Sequence, residues 1–492
     1  MDEREGQRLS LFATKPLSRI LEESESGEHQ LKRTLTAGQL VALGIGAIIG
    51  AGIFSLTGVA AAEHAGPAVT LAFIAAAIGC AFAGLCYSEF ATMIPIAGSA
   101  YTYAYATMGE LLAWIIGWDL VLEYAVGAAT VAVSWSGTLV SLLQNLGIHL
   151  PPALITSPFQ PLKLADGTEV TGLINLPAVL IVCAISLLLM RGIQESASAN
   201  NIIVIVKVAV IIVFIAIGWS FVDPSNHSNY IPVNEGGSRY GWAGILRAAG
   251  VIFFAYIGFD AVSTAAQEAK NPKRDMPIGI IGSLLICTVL FILYAHVLTG
   301  IVNYKELNVP SPIALALNKM PYTWLAILMK VAVLAGLTSV ILVMLLGQSR
   351  VFFSMSRDGL LPKLFSEIHP KFQTPWRSNL LFMVFVSCFS AFAPISVVGE
   401  MTSIGTLFAF VLVCGGILVM RKTHPDLPRP FKTPLVPVVP VLGVLVNLGL
   451  MAGLGWSNWL RLFLWMGLGL AIYFGYSRHH SRLRRVTADG SR

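Results

Sequence analysis

Long apolar stretches alternate with short polar segments along almost the whole chain. Twelve of these stretches are long enough, or nearly so, to cross a bilayer as helices, and we number them spans 1 to 12 in chain order. They lie near residues 39–62, 68–94, 111–143, 174–191, 199–221, 242–266, 277–301, 322–349, 379–394, 398–420, 435–455 and 459–477. The pattern predicts an all-α integral membrane protein with about twelve transmembrane helices.

Span 1 contains an unusual concentration of glycine, at Gly44, Gly46, Gly50 and Gly52. Glycine weakens a helix and lets its backbone approach another group closely. An unwound backbone survives in a membrane only where it is packed in protein or lines a polar cavity. The glycines therefore predict a broken helix at a binding site, although Gly46 and Gly50 also fit close helix–helix packing.

Span 6 contains a second interruption about 200 residues later, where Gly258 and Asp260 lie in the middle of the apolar run. Two broken spans five positions apart favour the broken-helix alternative. They predict two five-span halves of opposite orientation with a ligand site between the breaks. The halves would cover about 37–222 and 240–420, and two peripheral spans would follow at 435–477.

Broken helices offer two kinds of backbone group to a ligand. The N-terminal end of a half-helix suits a carboxylate, and the carbonyl end suits an ammonium. An α-amino acid carries both groups, so the two breaks are suited to holding the backbone of such a molecule.

Composition supports a membrane protein, because 55% of the 492 residues are hydrophobic and only 12% are charged. Soluble domains carry about 25% charged residues. Residues 1–36 are polar without an early apolar core and predict a tail rather than a cleavable signal peptide. The six cysteines all lie in apolar spans and show no metal-ligand spacing, so we expect neither a disulfide framework nor a metal site.

Lys and Arg residues are distributed unevenly between the segments that join the spans. If both termini are cytoplasmic, about 24 lie on the inner side and about five on the outer side. This asymmetry predicts cytoplasmic termini. The net charge of +6 then reflects topology and gives no reason to expect nucleic acid. The basic tail at 478–492 is expected to meet anionic lipid headgroups.

Ionisable residues inside spans are costly and are candidates for function. Asp119 and Glu123 are four residues apart on span 3, and Glu123 is the deeper of the two. Lys207 lies among apolar residues of span 5, where it either snorkels to the surface, forms an inert pair, or acts as a cation within the bundle. Thr338 and Ser339 on span 8 are structural by default, because such hydroxyls usually bond their own helix.

Five motifs together resemble the amino acid–polyamine–organocation (APC) superfamily, and within it the bacterial members of the cationic amino acid transporter family. The resemblance extends from about residue 35 to residue 476. The motifs are Gly46-Ala-Ile-Ile-Gly-Ala-Gly-Ile-Phe54, Phe253-Phe-Ala-Tyr-Ile-Gly-Phe-Asp260, Arg357-Asp-Gly-Leu-Leu-Pro362, Ser403-Ile-Gly-Thr-Leu-Phe-Ala-Phe410 and Arg421-Lys-Thr-His-Pro-Asp-Leu-Pro-Arg-Pro-Phe431.

The resemblance implies a LeuT-like fold with spans 1–5 and 6–10 as the repeats. It implies an L-amino acid whose carboxylate meets N–H groups around Gly50, Ala51 and Gly52, with Ile48 nearby. The ammonium would meet carbonyls of Phe254, Ala255 and Ile257, and Phe254 resembles an aromatic gate.

The resemblance also implies residues for coupling and gating. Lys207 matches a lysine of proton-coupled members, in the electrostatic role that sodium has in other relatives of the fold. Glu123 and Asp260 are candidates for gating or proton-linked pairing. Thr338 and Ser339 fall where sodium-coupled relatives use span 8 hydroxyls.

The sequence therefore predicts a secondary active transporter of the cell membrane, with a proton-coupled L-amino acid importer as the first hypothesis. An exchanger and, less favoured, a membrane sensor remain as alternatives. No His/Asp/Glu cluster or nucleotide-binding loop suggests an enzyme, and no filter motif suggests a channel. We expect no cofactor other than the coupling proton and no sodium. The substrate class, cationic or small neutral, and a small membrane subunit are left open.

Overall fold

The computed structural model describes residues 11–16, 35–94, 99–160, 162–163, 169–192, 197–264, 266 and 269–484. Most of the predicted tail at 1–36 and the end of the basic tail, 485–492, lie outside these residues. Seven described helices are long and apolar enough to cross a membrane, and five shorter apolar helices accompany them. This arrangement is that of a multi-pass membrane protein.

Span 1 is broken, as the glycine pattern predicts. Its first half, Ala37–Ile48, ends where Ile49 adopts an extended conformation with ψ 101°. The second half contains two wide π turns, Gly52–Leu56 and Ala61–Ala65, on either side of the short α-helix Thr57–Ala60. The helix ends at Gly66, whose φ of 60° and ψ of −144° are incompatible with a helix. Span 2 follows directly after the turn Gly66–Ala68, as Val69–Met93.

Span 6 is broken in a similar way. The helix Gly241–Ile252 tightens into a 3₁₀ turn, Phe253–Tyr256, before Ile257 becomes extended. Gly258 has a φ of 115°, a conformation that glycine adopts at little cost. A short helix, Ala261–Thr264, then resumes the span. The second predicted break is therefore also present.

Span 3 runs through Glu110–Val121 and Gly127–Asn145, joined by a π turn at Leu122–Val126 that contains Glu123. The other spans are helices Leu176–Met190, Ala197–Gly218, Pro272–Ile301, Thr323–Arg357, Trp376–Phe392, Ile395–Thr423, Val438–Gly453 and Trp456–Ile472, the last extended by Tyr473–Ser477 and Arg478–His480. Connecting segments contain helices Ser99–Thr107 and Pro312–Asn318, short 3₁₀ turns at Pro152–Leu154, Trp219–Phe221, Pro224–His227, Tyr304–Glu306 and Lys363–Phe365, and a two-stranded antiparallel ribbon, Leu162–Lys163 with Glu169–Val170.

The bundle buries its central spans and leaves apolar side chains exposed around its perimeter. Exposed examples include Leu180, Ile205, Leu285 and Leu464, each on a different span. In water such a surface would be unfavourable, so it is the surface expected to face lipid.

The described ends of the chain lie at one end of the bundle, which we call the termini face. There Lys15 pairs with Asp358 at 2.8 Å, and Arg484 pairs with Glu110 at 2.8 Å. One described end is thus attached to the turn after span 8, and the other to the first residue of span 3.

Candidate functional site

The two helix breaks lie directly against each other. A Cβ added at Gly52 would lie 2.2 Å from the Cα of Ala255, and one added at Gly258 would lie 2.8 Å from the Ala47 carbonyl. Such distances are impossible for a real side chain, so these glycines allow the two backbones to touch. The sequence predicted both breaks, and the structure brings them together in the bundle interior.

The span 1 break supplies backbone N–H groups. The second half-helix begins at Ala51, and its first internal bond runs from the Phe54 amide to the Gly50 carbonyl at 3.3 Å. Amides earlier in that turn have no partner within the helix. The predicted residues Gly50, Ala51 and Gly52 therefore lie at the positive end of a half-helix, where a carboxylate is favoured.

The span 6 break supplies carbonyl groups. The Phe254 carbonyl accepts a bond from the Ile257 amide at 3.2 Å and keeps a second lone pair. Ile257 is itself extended, so its carbonyl lies outside the helical hydrogen-bond pattern. Phe254 is buried, with 3% of its surface exposed. Such carbonyls are suited to an ammonium.

Apolar side chains surround the two breaks. Ile48 is 2% exposed at the end of the first half-helix, and Ala255 is fully buried. Val340 of span 8 lies against Gly50, where an added Cβ would meet it at 3.4 Å. Span 8 therefore faces the span 1 break, and these neighbours supply an apolar environment.

Lys207 reaches the span 1 break from span 5. Its Nζ donates a 2.8 Å hydrogen bond to the Gly46 carbonyl, and the residue is 2% exposed. A cation at the carbonyl end of a half-helix is favourable. Its stem passes Gly336 of span 8, where an added Cβ would lie 2.9 Å from the Lys207 Cγ. The ammonium thus lies inside the bundle and does not extend to the surface.

Three buried acids lie near one another between spans 3, 6 and 10: Asp119, Glu123 and Asp260 are each 1% exposed. The electrostatic neighbours of Glu123 include Asp260, Asp119 and the Thr406 hydroxyl. Tyr124 donates a 3.2 Å hydrogen bond to Asp260 Oδ2. Among the described residues, no group lies in good hydrogen-bonding geometry with the carboxylate oxygens of Asp119 or Glu123. Within the described chain, no basic side chain forms a salt bridge with any of the three.

The two hydroxyl residues of span 8 bond their own helix. Thr338 donates to the Leu334 carbonyl at 2.8 Å and accepts the indole N–H of Trp135 at 3.0 Å. Ser339 donates to the Gly336 carbonyl at 3.1 Å. These bonds match the default expectation for hydroxyls in a membrane helix. Their assignment to coupling stays a prediction.

Sequence reasoning missed several contributors to the site. Gly336 and Tyr124 were not singled out, because their roles depend on packing between spans that are distant in the chain. The four-residue spacing singled out both Asp119 and Glu123, and the structure shows that both are buried inside the bundle.

The fold and the apposed breaks define a membrane permease. The Amino acid permease family model matches residues 35–476. The chain is similar to the branched-chain amino acid permease BcaP of Bacillus subtilis, with 46% identity covering 97% of this chain and 99% of that protein. It is also similar to the methylthioribose transporter of the same organism, with 42% identity covering 97% and 100%. The cationic amino acid transporter 4, vacuolar, of Arabidopsis thaliana shares 37% identity over 85% of this chain and 68% of its own length.

The chain belongs to the amino acid permease family within the APC superfamily. The resemblance stated from the motifs is therefore confirmed. Members of the family are transporters, so the prediction that the protein is not an enzyme is confirmed as well.

Proposed function

We propose that the protein is a proton-coupled importer of a neutral L-amino acid that works by alternating access. The observation that carries this proposal is the contact between the two helix breaks, Gly52 against Ala255 and Gly258 against Ala47. Amides at one break and carbonyls at the other complement the carboxylate and ammonium that every α-amino acid presents.

Alternating access needs two halves that can rock against each other, and the helix contacts support a pair of repeats. Span 1 contacts span 6, span 2 contacts span 7, span 3 contacts span 8 and span 4 contacts span 9. The contact between spans 5 and 1 has its counterpart in the contact between spans 10 and 6. The contact between spans 5 and 8 likewise has its counterpart in the contact between spans 10 and 3. This is the pattern that a 5+5 inverted repeat of the LeuT-like kind would produce.

Coupling is proposed to run through Lys207. Its ammonium binds the Gly46 carbonyl and so stabilises the end of the first half-helix of span 1. A buried lysine can lose its proton, and the neutral amine would hold that half-helix less strongly. Loss of the proton would thus allow the half-helix to move. A fixed cation there would also repel sodium, which supports a proton as the coupling ion.

The second proposed proton site is the carboxyl pair Glu123 and Asp260. Two buried carboxylates that share a site do not both ionise. In the described chain no basic side chain pairs with them, so a proton held between them would balance their charge. Asp260 follows the span 6 break by two residues, which links such a proton to the movement of the second half of span 6.

The substrate is proposed to be a neutral, branched-chain amino acid. Ile48, Ala255 and Val340 surround the breaks with apolar groups, and the relative with 46% identity is named a branched-chain amino acid permease. A cationic side chain would need an acid beside it. A thiosugar is the second candidate, because a relative with 42% identity is named a methylthioribose transporter.

The termini face is proposed to be cytoplasmic in the cell membrane. Lys15, Arg357, Lys363, Arg482 and Arg484 lie there, and Lys/Arg-rich segments remain on the inner side of membranes.

The test is uptake of labelled leucine, alanine, arginine and methylthioribose into proteoliposomes with an imposed inward proton gradient and no sodium. We expect leucine to accumulate and a protonophore to abolish its accumulation. Accumulation of methylthioribose or arginine in place of leucine would overturn the substrate assignment. Flux that requires internal amino acid would overturn symport in favour of exchange, and binding without flux would favour a sensor.

A Lys207→Met variant tests the coupling mechanism. It should lose gradient-driven accumulation and retain leucine binding. Lys330→Met is the matched control, since Lys330 is also fully buried but bonds Ser141, Asn145 and Asn318 instead of a helix break. The control should still accumulate leucine. Full accumulation by Lys207→Met would remove this lysine from the mechanism.

A further inference from the structure

A cavity of about 460 Å³ opens on the termini face, away from the helix breaks. It lies between the end of span 8, the turn that follows it and the end of span 12. Arg357, Lys363 and Arg482 bring three cationic side chains to its wall. The hydroxyls of Ser356 and Ser366, which bond each other at 2.8 Å, lie in the same wall.

The acids around this cavity already form ion pairs with basic side chains outside its wall. Glu367, which also lines it, pairs with Arg377 at 2.6 Å. Asp358 accepts from Lys15 at 2.8 Å and from Tyr101 at 2.7 Å. Glu110 binds Arg484 and the Tyr473 hydroxyl.

The positive charges of the three basic side chains in the cavity wall are not balanced by paired carboxylates of the described chain. Among the described residues, no carboxylate pairs with Arg357, Lys363 or Arg482. The cavity wall therefore carries three cationic side chains and one acid, Glu367, which is already paired with Arg377, and such an excess of positive charge favours an anionic ligand.

The chain is built to hold this cavity in shape. Gly359 has a φ of 83°, and a Cβ there would lie 2.4 Å from the His480 carbonyl. The Arg482 amide donates to the Asp358 carbonyl at 3.0 Å, and the Ser477 hydroxyl donates to the Leu360 carbonyl at 2.6 Å. The end of span 12 is thus fixed onto the turn after span 8, which positions Arg482 beside Arg357 and Lys363.

Exposed apolar residues lie beside the charged wall. Leu364 and Ile368, in the segment that follows span 8, are 37% and 44% exposed, and Phe474 on span 12 is 43% exposed. A basic cavity next to exposed apolar side chains matches a molecule with an anionic head and acyl chains. Basic pockets between transmembrane helices at the headgroup level bind such lipids.

We propose that this cavity binds the phosphate headgroup of an anionic phospholipid from the leaflet at the termini face. Arg357, Lys363 and Arg482 contact the phosphate, and the apolar residues beside them contact the acyl chains. The bound lipid would join the ends of spans 8 and 12. The substrate breaks are elsewhere, so the proposal stands independently of the transported molecule.

The test measures lipid binding to the purified full-length protein by native mass spectrometry, with phosphatidylglycerol, phosphatidylcholine and inorganic phosphate as probes. The wild type should retain phosphatidylglycerol in preference to phosphatidylcholine. The triple variant Arg357→Gln, Lys363→Gln, Arg482→Gln should bind phosphatidylglycerol on the order of 100-fold more weakly.

A second triple variant controls for net charge: Lys273→Gln, Lys422→Gln and Lys432→Gln remove three exposed charges outside the cavity. It should bind within about threefold of the wild type, because charges outside the cavity contribute little to a defined site. Equal losses in both triple variants would show diffuse attraction and overturn the site. Unchanged binding by the cavity variant would also overturn it. Inorganic phosphate that binds as tightly as the lipid would overturn the lipid as the ligand.

Discussion

Two sets of buried acids in this protein have opposite surroundings. Near the ends of the bundle, Glu89, Glu110 and Glu400 each pair with arginine. In the interior, Asp119, Glu123 and Asp260 form no salt bridge with a described basic residue. Burial is similar in the two sets, because all six are less than a tenth exposed.

The paired acids connect distant parts of the chain. Glu89 of span 2 accepts two bonds from Arg421, each 2.9 Å, lies 3.3 Å from Arg429 and accepts the Thr433 amide at 2.7 Å. Its charge is balanced by these arginines, so the cluster can hold span 2 to the end of span 10.

The interior acids have polar neighbours without a compensating charge. Tyr124 donates to Asp260, but no described residue lies in good hydrogen-bonding geometry with the carboxylate oxygens of Glu123. A buried carboxylate without a partner is costly when ionised. Their partners, and not their burial, distinguish the two sets of acids, and the proposed role in proton coupling falls on the set without a basic partner.

Removing a paired acid should have the largest effect on stability. Glu89→Ala leaves Arg421 and Arg429 facing a buried, empty position, and breaking such a pair costs about 3–5 kcal/mol. We expect a clear fall in the thermal unfolding temperature of the purified protein. Leucine uptake per folded molecule should persist, because Glu89 bonds Arg421 and the Thr433 amide and neither helix break.

Glu235→Ala is the matched control, since Glu235 pairs with Arg239 at 3.2 Å on the exposed surface. Exposed pairs contribute about 0–1 kcal/mol, so this variant should unfold near the wild-type temperature. An equally small effect of Glu89→Ala would mean that the cluster does not hold the bundle together.

Removing the charge of an interior acid should act on coupling instead. Glu123→Gln keeps the shape of the side chain and cannot release a proton. A gradient of one pH unit can drive about tenfold accumulation of leucine in the wild type, which corresponds to about 1.4 kcal/mol. The variant should lose this accumulation. Proteoliposome uptake with and without the gradient measures this loss. The unfolding temperature should stay the same or rise, because no partner is left unpaired.

A large fall in stability with retained accumulation would reverse the assignment of Glu123. It would place this acid with Glu89 as a structural residue. Glu123→Asp is the companion variant: it keeps a carboxyl group and should recover part of the accumulation that Glu123→Gln loses.

Asp119→Asn tests whether all three interior acids take part in coupling. Asp119 is on the same helix face as Glu123, but its Oδ1 lies beside Gly405, where an added Cβ would approach to 3.1 Å. We expect accumulation within about twofold of the wild type and a rise in stability of up to about 1 kcal/mol, since a neutral amide is less costly to bury than a carboxylate. Uptake and thermal unfolding measure the two effects. Loss of accumulation would add Asp119 to the coupling residues.

The breaks were predictable because their cause is local. Gly50, Gly52 and Gly258 interrupt apolar runs, and the membrane restricts where such a break survives. The partners of the acids were not predictable in this way. Glu89 meets Arg421 more than 300 residues later, and nothing near either residue in the chain indicates the pair. The orientation of Lys207 toward Gly46 depends likewise on the packing of spans 1, 5 and 8.

The smallest effects are expected at the span 8 hydroxyls. Ser339→Ala removes one bond to the helix's own backbone and should change stability by about 0.5 kcal/mol or less. Thr338→Val also leaves the Trp135 indole without its acceptor and should cost about 1 kcal/mol. If a proton and not sodium is the coupling ion, neither variant should change accumulation, and added sodium should not stimulate the wild type. Proteoliposome uptake in potassium and in sodium buffers tests this. Sodium stimulation that disappears in Ser339→Ala would place a sodium ion at span 8. Lys207 would then no longer be the cation that serves coupling.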